Sequence, residues 1–124
     1  MFIYKICSEA AWAAASEGGR YEGSADDRRD GFIHFSTAAQ LTKTAEKHFA
    51  GQRDLLLVAV EAEALGEALR WEASRGGALF PHLYGALEVS RAAWSAPLPW
   101  SEEAGAHLMP DLPEEGGAVG SSCK

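Results

Sequence analysis

Cysteine and long apolar runs are scarce in this sequence, and each scarcity excludes a class of protein. The 124 residues include two cysteines, Cys7 and Cys123, which lie near opposite ends of the chain. Two thiols at that spacing exclude a disulfide framework and a zinc knuckle. No segment reaches the ~18 apolar residues of a membrane helix, and the opening MFIYKIC lacks the basic and apolar regions of a signal peptide. We therefore expect a cytoplasmic protein with no membrane partner.

Positive charge is also in short supply. Lysine and arginine number 11 against 18 acidic residues, which leaves a net charge of -7 at pH 7. Proteins that bind the phosphate backbone usually present a basic surface, so we expect no nucleic-acid partner. The 47% of apolar residues suffices for one core without metal or disulfides, and the length fits one domain.

Motifs that would identify an enzyme class are missing too. The sequence contains no GxGxxG after a strand, no GxxxxGK[ST], no HExxH and no GxSxG. Dinucleotide-binding, P-loop, zinc-protease and hydrolase-elbow interpretations therefore lack their residues. The spacings between His34, His48 and His82 match no compact ligand pattern, so no metal site is predicted, and His48 is predicted to pack on the inner face of a helix.

What the sequence does contain is a series of short strands and capped helices. FIYKIC alternates as a strand does, and Ser8 caps a helix that ends at the glycine pair of SEGGR. GGRYEGSADDRRDG is predicted to be an exposed connection with one helical turn at ADDRR, and its charge run from Asp26 to Asp30 to be solvated. DGFIHFST is a second strand. Thr37 and Gln40 then form a capping box, which predicts a helix over about residues 37 to 50.

The second half of the chain contains the predicted central strand. DLLLVAVE is apolar on both faces, as is typical of a strand covered on each side. LRWEAS is predicted to be a strand with Leu69 and Trp71 facing the core, RGGALFPHLYG a glycine-containing connection, and ALEVSRAAW the last strand. Residues 1–98 are thus predicted to form a single domain of strands and helices. Residues 99–124 are predicted to be a tail, partly or wholly disordered, with part of 99–109 folding back onto the domain.

One candidate site lies at the end of the second strand. His34 shares a strand face with Ser36 and is followed by the helix start at Thr37. Backbone N–H groups at a helix start favour anions, so an imidazole, two hydroxyls and those donors can converge on a phosphate or a ribose. The alternative is a hydrogen-bonded core histidine.

A second set of candidates lies in SRGGALFPHLYG. Arg75 can bind a phosphate or carboxylate as a fork, and Gly76 and Gly77 allow a ligand to approach the main chain closely. His82 and Tyr84 follow. In the alternative interpretation this segment is a buried connector, with Tyr84 closing the core and Arg75 paired with Glu72.

IYKI, DGFIHFSTAAQL and SRGGALFPHLYG together resemble a bacterial family known as domain of unknown function 952, over roughly residues 2 to 95. This family is similar to the ADP-ribosyltransferase-like superfamily. The resemblance implies an α+β fold over residues 1–98, built as a split β-sandwich of two small, mainly antiparallel sheets with two or three helices. It also implies a cleft that holds NAD in active members.

Site roles also follow from the resemblance. His34 matches the histidine that holds the nicotinamide-side ribose, Tyr84 is a candidate for the tyrosine that stacks on nicotinamide, and Glu88 is a candidate acidic residue from a later strand. Phe35 departs from the pattern, because active relatives often have glycine and a hydroxyl residue after the histidine. His34 and Tyr84 are therefore the candidate catalytic residues, and NAD the candidate cofactor.

The predicted function is binding of a nucleotide-like or phosphorylated small molecule in that cleft. The predicted ligand-binding residues are His34, Ser36, Thr37, Arg75, Gly76, Gly77, His82 and Tyr84. One alternative is an NAD-dependent enzyme of the ADP-ribosyltransferase type. A second alternative is a protein-interaction domain, indicated by the tryptophan in PLPWSEE.

Overall fold

A three-stranded antiparallel sheet is the centre of this fold. The computed structural model describes residues 1–113, except for the side chain of Arg75. In chain order the elements are β1 (Phe2–Ser8), α1 (Glu9–Gly18), β2 (Arg20–Tyr21), α2 (Ala25–Asp30), β3 (Ile33–His34), α3 (Ala38–His48), β4 (Leu55–Glu61), β5 (Leu69–Ala73), β6 (Leu79–Leu83), β7 (Leu87–Glu88), β8 (Ala92–Pro97), β9 (Trp100–Ser101) and β10 (Ala106–His107). The central sheet has the order β1-β4-β8, so the apolar strand DLLLVAVE is its middle strand, as predicted.

Capping residues define where the helices begin and end. Ser8 accepts a hydrogen bond from the backbone of the first turn of α1, and Gly19 ends that helix at φ +86°. Both α2 and α3 begin with complete capping boxes, built on Ser24 and Thr37. The predicted helix at residues 37 to 50 is thus confirmed as α3, one turn shorter.

The second sheet has the order β3-β6-β5 and places the two candidate segments side by side. Ile33 pairs with Leu83 and His34 with His82. Tyr4 of β1 exchanges backbone hydrogen bonds of 2.8 and 2.9 Å with Ser36, which attaches this sheet to the central one. Two short pairs, β2 with β7 and β9 with β10, complete the sheets in the described part of the chain.

Two apolar clusters cover the two faces of the central sheet. On the side of α1 and α2 the buried residues include Ile3, Cys7, Trp12, Val58 and Val60. On the side of α3 they include Tyr4, Ile6, Leu41, Leu57 and Leu98. This two-sided burial explains why β4 is apolar at every inner position.

The observed fold is α+β with several small antiparallel sheets, as predicted at that level. Three details differ. RGGALFPHLYG contains strand β6, ALEVSRAAW divides into β7, a 3₁₀ turn and β8, and Trp71 is 39% exposed, so its predicted inward orientation is wrong. These differences share one cause: in so small a sheet, cross-strand pairing decides which residues are covered.

Residues 98–113 pack against the domain. Leu98 is fully buried, Met109 and Leu112 contact the cluster on the α3 side, and β9 and β10 form a hairpin. The rest of the predicted tail, residues 114–124, lies outside the described residues.

None of the helices within residues 1–113 has the length and apolar character needed to cross a membrane.

Candidate functional site

Four rings meet where β3, β6 and the segment after β6 come together. The Phe32 ring stacks on His82 with centroids 4.0 Å apart, and it lies 4.7 Å from the His34 ring and 5.3 Å from the Tyr84 ring. The two imidazoles are cross-strand partners with centroids 5.6 Å apart. We refer to Phe32, His34, His82 and Tyr84 as the ring cluster.

The ring cluster is open to solvent on one side. Tyr84 is 38% exposed and the His34 side chain likewise 38%, whereas His82 is 5% exposed and forms the base. His34 is therefore not enclosed by hydrocarbon. A planar molecule can reach the rings of His34 and Tyr84 from solvent.

A buried carboxylate holds the inner side of His34. Asp27 Oδ1 lies 2.6 Å from Nδ1 of His34 and accepts the His34 backbone N–H at 3.1 Å. Asp27 Oδ2 lies 2.8 Å from Nζ of Lys5 and accepts the backbone N–H of Ser24 at 2.9 Å. The side chains of Lys5 and Asp27 are only 6% and 2% exposed.

This surrounding set of donors keeps Asp27 ionised. Burial raises the pKa of the Asp27 carboxyl, but the hydrogen bond from His34 and the charge of Lys5 outweigh burial, so the pKa lies well below its ordinary value. Lys5, Asp27 and His34 therefore form a continuous chain of polar contacts from the core to the edge of the ring cluster.

The outer side of His34 faces a second carboxylate. Asp30 Oδ2 is 3.0 Å from Nε2 of His34, and both side chains are about one-third exposed. Asp30 also pairs with Arg29, whose guanidinium is the main cause of a lowered pKa of the Asp30 carboxyl.

Glu72 gives His82 and Tyr84 a shared acceptor. Its Oε1 accepts the Tyr84 hydroxyl at 2.8 Å and lies 2.8 Å from Nδ1 of His82. The hydrogen bonds with His82 and Tyr84 lower the pKa of Glu72, and the same contact raises the pKa of Tyr84. The guanidinium of Arg70 lies 5.1 Å from the Tyr84 ring centroid, on the exposed side.

Ser36 and Thr37 are occupied by contacts with α3. Ser36 is 4% exposed and its hydroxyl lies 2.9 Å from the hydroxyl of Thr44. Thr37 caps α3, and its backbone N–H donates a hydrogen bond to Oε1 of Gln40 at 3.0 Å. The donors at this helix start are therefore partly used by the cap itself.

The structure places Arg75, Gly76 and Gly77 at the far tip of the β5–β6 hairpin. His82 pairs with Arg70, and the last pair before the tip, Ala73 with Leu79, lies three residues further along the strands. At ~3.3 Å per residue, that last pair is about 10 Å from His82. Gly76 and Gly77 have φ values of +74° and +81°, which explains the glycines by the turn itself. His34, His82 and Tyr84 are thus brought together, and the glycine turn is separate.

Several residues of the site were missed by reasoning from sequence. Asp27 was assigned to a solvated charge run, which is wrong because it is 2% exposed. The signal was present in SADD, where Ser24 and Asp27 have capping-box spacing, and in the lone Lys5 of an apolar strand. Glu88 instead pairs with Arg20 at 3.8 Å, and both of these side chains are 59% exposed. His48 is exposed, so its predicted place on the inner face of the helix is wrong.

Two cavities lie away from the ring cluster, around the C-terminal hairpin. One of about 130 Å³ lies between α3 and the β9–β10 hairpin, and one of about 210 Å³ lies beside Arg53 and Pro99. Among residues 1–113, no group of three histidine, cysteine or acidic residues is arranged to hold a metal ion.

Comparisons with known proteins cover most of the chain. The family model described as "Protein of unknown function (DUF952)" matches residues 6–95. The crystal structure of protein CC0527 from Caulobacter crescentus is similar at 55% identity and a TM-score of 0.83, covering 87% of this chain and 94% of that one. The solution NMR structure of CC0527 gives 57% identity and a TM-score of 0.75, covering 82% and 88%. None of the curated proteins matches this chain.

Proposed function

This chain belongs to the DUF952 family, and we propose that its ring cluster binds the heterocycle of a nucleotide-like small molecule. The observation that carries the proposal is the contact of one ring, Phe32, with all three other rings of the cluster. Tyr84 and His34 leave over a third of their surface to solvent, so the cluster offers flat apolar area to a planar ligand.

The chemistry of the rim supports a polar heterocycle rather than a purely apolar ligand. Nε2 of His34 lies at the solvent side of the cluster in contact with Asp30, and the Arg70 guanidinium lies over the Tyr84 ring, 5.1 Å from its centroid. A base stacked on aromatic rings gains about 1–3 kcal/mol, and the ribose of a nucleotide then falls near the imidazole. The cluster therefore supplies one stacking surface and two polar edges.

An ADP-ribosyltransferase-like fold is part of this proposal. In the resemblance described above, a histidine on the first small sheet holds the ribose and a tyrosine stacks on nicotinamide. His34 and Tyr84 lie in the same cluster, with Phe32 in contact with both rings. NAD, ADP-ribose and nicotinamide are therefore the first ligands to try.

Thermal unfolding with and without each ligand tests the proposal. A ligand at ~100 times its dissociation constant adds ~2.7 kcal/mol to the free energy of unfolding, which is a readily measured rise in melting temperature. We expect NAD or a nucleoside phosphate to raise it in the parent protein. Tyr84→Ala and Phe32→Ala should each weaken ligand binding by about 1–3 kcal/mol of binding free energy.

Trp71→Ala is the matched control. Trp71 is an exposed aromatic residue on β5. Its neighbours Arg70 and Glu72 both contact Tyr84 of the ring cluster. Because side chains alternate along a strand, Trp71 lies on the face that points away from the cluster. Its replacement should leave ligand binding unchanged. Equal losses of binding in Trp71→Ala and Tyr84→Ala, or no stabilisation by any nucleotide or nicotinamide compound, would contradict the proposal.

The second candidate is an NAD-dependent transferase, and Glu72 is the observation that favours it. Cleavage of the nicotinamide bond develops positive charge on the ribose, which a nearby carboxylate stabilises. Glu72 contacts both His82 and Tyr84 and keeps its charge, since its pKa is lowered. Release of nicotinamide from NAD by the parent protein, but not by Glu72→Gln, supports this candidate. If the parent protein binds NAD and releases no nicotinamide, ligand binding without catalysis is supported instead.

A further inference from the structure

Asp30 lies where the ring cluster meets solvent, on the outer nitrogen of His34. Its Oδ2 is 3.0 Å from Nε2 of His34, while Asp27 Oδ1 is 2.6 Å from Nδ1 on the inner side. An ionised carboxylate accepts hydrogen bonds and donates none, so each contact is favourable when the facing ring nitrogen carries hydrogen. Both ring nitrogens of His34 thus face a carboxylate oxygen.

The two carboxylates are held with different strength. Asp27 is buried and its other oxygen is paired with the buried ammonium of Lys5 at 2.8 Å. Asp30 is the last residue of α2, is 34% exposed, and otherwise contacts the exposed side chain of Arg29 at 3.2 Å. Exposed ion pairs are weak because water screens them. Asp30 therefore leaves His34 at little cost, whereas Asp27 does not.

We infer that Asp30 is an internal substitute for an acidic group of the ligand. The ligand of the ring cluster carries a phosphate or carboxylate that replaces the Asp30 carboxylate on Nε2 of His34. Asp27 stays on Nδ1 of His34 and is shared with Lys5, so Nε2 is the ring nitrogen left without an acceptor once Asp30 moves. This inference deepens the proposed function and rests on it for the heterocycle, but the anion contact itself can be tested alone.

Inorganic phosphate is the probe for that contact. The ring ¹⁵N signals of His34 are followed by NMR during a phosphate titration of the parent protein, Asp30→Asn and Asp26→Asn. Asp26 is the matched control because it lies on the same helix and also pairs with Arg29, at 3.0 Å, with 72% of its side chain exposed. Both substitutions change the net charge equally.

The expected result is selective. Removing the competing carboxylate should lower the apparent dissociation constant for phosphate at His34 about 1.5- to fivefold in Asp30→Asn, the range set by an exposed ion pair. The constant should stay at the parent value in Asp26→Asn. Phosphate that leaves the His34 signals of Asp30→Asn unmoved, or that binds both variants equally, overturns the inference.

Adenosine and AMP separate this inference from the proposed function. We expect calorimetry to show AMP binding to Asp30→Asn about 1.5- to fivefold tighter than to the parent, and unchanged adenosine binding. Equal affinity of both compounds for Asp30→Asn overturns the inference while the proposed function stands. If neither compound binds but phosphate moves the His34 signals as expected, the anion contact stands and the nucleotide assignment fails.

Discussion

Replacing Asp27 by asparagine tests the buried contacts that join Lys5, Asp27 and His34 and support the candidate site. The carboxylate accepts from the backbone of Ser24 and His34 and contacts the Lys5 ammonium and the His34 ring, all within 3.1 Å. The amide keeps the shape of the side chain but has no charge and one oxygen fewer. Lys5, 6% exposed, then loses its counter-ion. Breaking a buried ion pair from one side costs about 3–5 kcal/mol, a large part of the ~5–15 kcal/mol that stabilises a domain.

Urea unfolding followed by tryptophan fluorescence measures the loss. We expect Asp27→Asn to unfold at lower urea with an unchanged slope. A second variant, Lys5→Met with Asp27→Asn, removes both charges, so it should be more stable than Asp27→Asn alone by at least about 1 kcal/mol. Asp26→Asn, whose side chain is 72% exposed, should stay within about 0.5 kcal/mol of the parent protein.

The pH dependence has a definite sign. Because the pKa of Asp27 in the folded protein lies below its ordinary 3.8, the stabilisation from the ionised form is complete above pH 3.8 and decreases as pH falls toward the folded pKa. The difference in unfolding free energy between the parent and Asp27→Asn should therefore shrink below that pH. A variant within about 1 kcal/mol of the parent at neutral pH would refute the assigned role of the buried ion pair.

Three further outcomes follow from the structure. Tyr84→Phe keeps the ring but removes the hydroxyl that donates a hydrogen bond to Glu72. Ligand binding in the thermal assay should therefore survive in Tyr84→Phe and be lost in Tyr84→Ala. Equal loss in both variants would place the hydroxyl rather than the ring in contact with the ligand. Leu98→Ala should cost about 2–5 kcal/mol in urea unfolding, because Leu98 is fully buried; a cost near zero would mean that the segment after β8 does not pack as described. Burial raises the pKa of the Cys7 thiol to about 11, so peptide mapping after native treatment with a thiol reagent near pH 8 should find Cys7 unmodified, and rapid labelling would contradict its burial.

Local features of the fold were predictable because their causes lie within a few residues. Ser8 and Thr37 cap helices whose first turns follow them directly, and Gly19 ends α1 in a backbone conformation that suits glycine. The apolar run of β4 also identified the central strand, since burial on both faces leaves no polar position. These elements could be located without knowing which strands pair.

The candidate site was predicted only in part. His34, His82 and Tyr84 were singled out as polar or aromatic residues in unusual positions, and they lie in one cluster. Trp71 was predicted to be buried and is exposed, and Asp27 was predicted to be exposed and is buried. Both errors arise because amphipathic periodicity cannot be read in a five-residue strand or a six-residue helix. Short elements have too few turns or alternations to define a face.

The sequence alone determined where the capped helices begin and which strand is central, since capping and apolar periodicity act between near neighbours. Tertiary structure alone decided that Lys5 is paired with Asp27, that His34 lies opposite His82, and that Phe32 joins the four rings. Those contacts join residues far apart along the chain, and they exist only because strand register and the burial of two opposite charges are settled together.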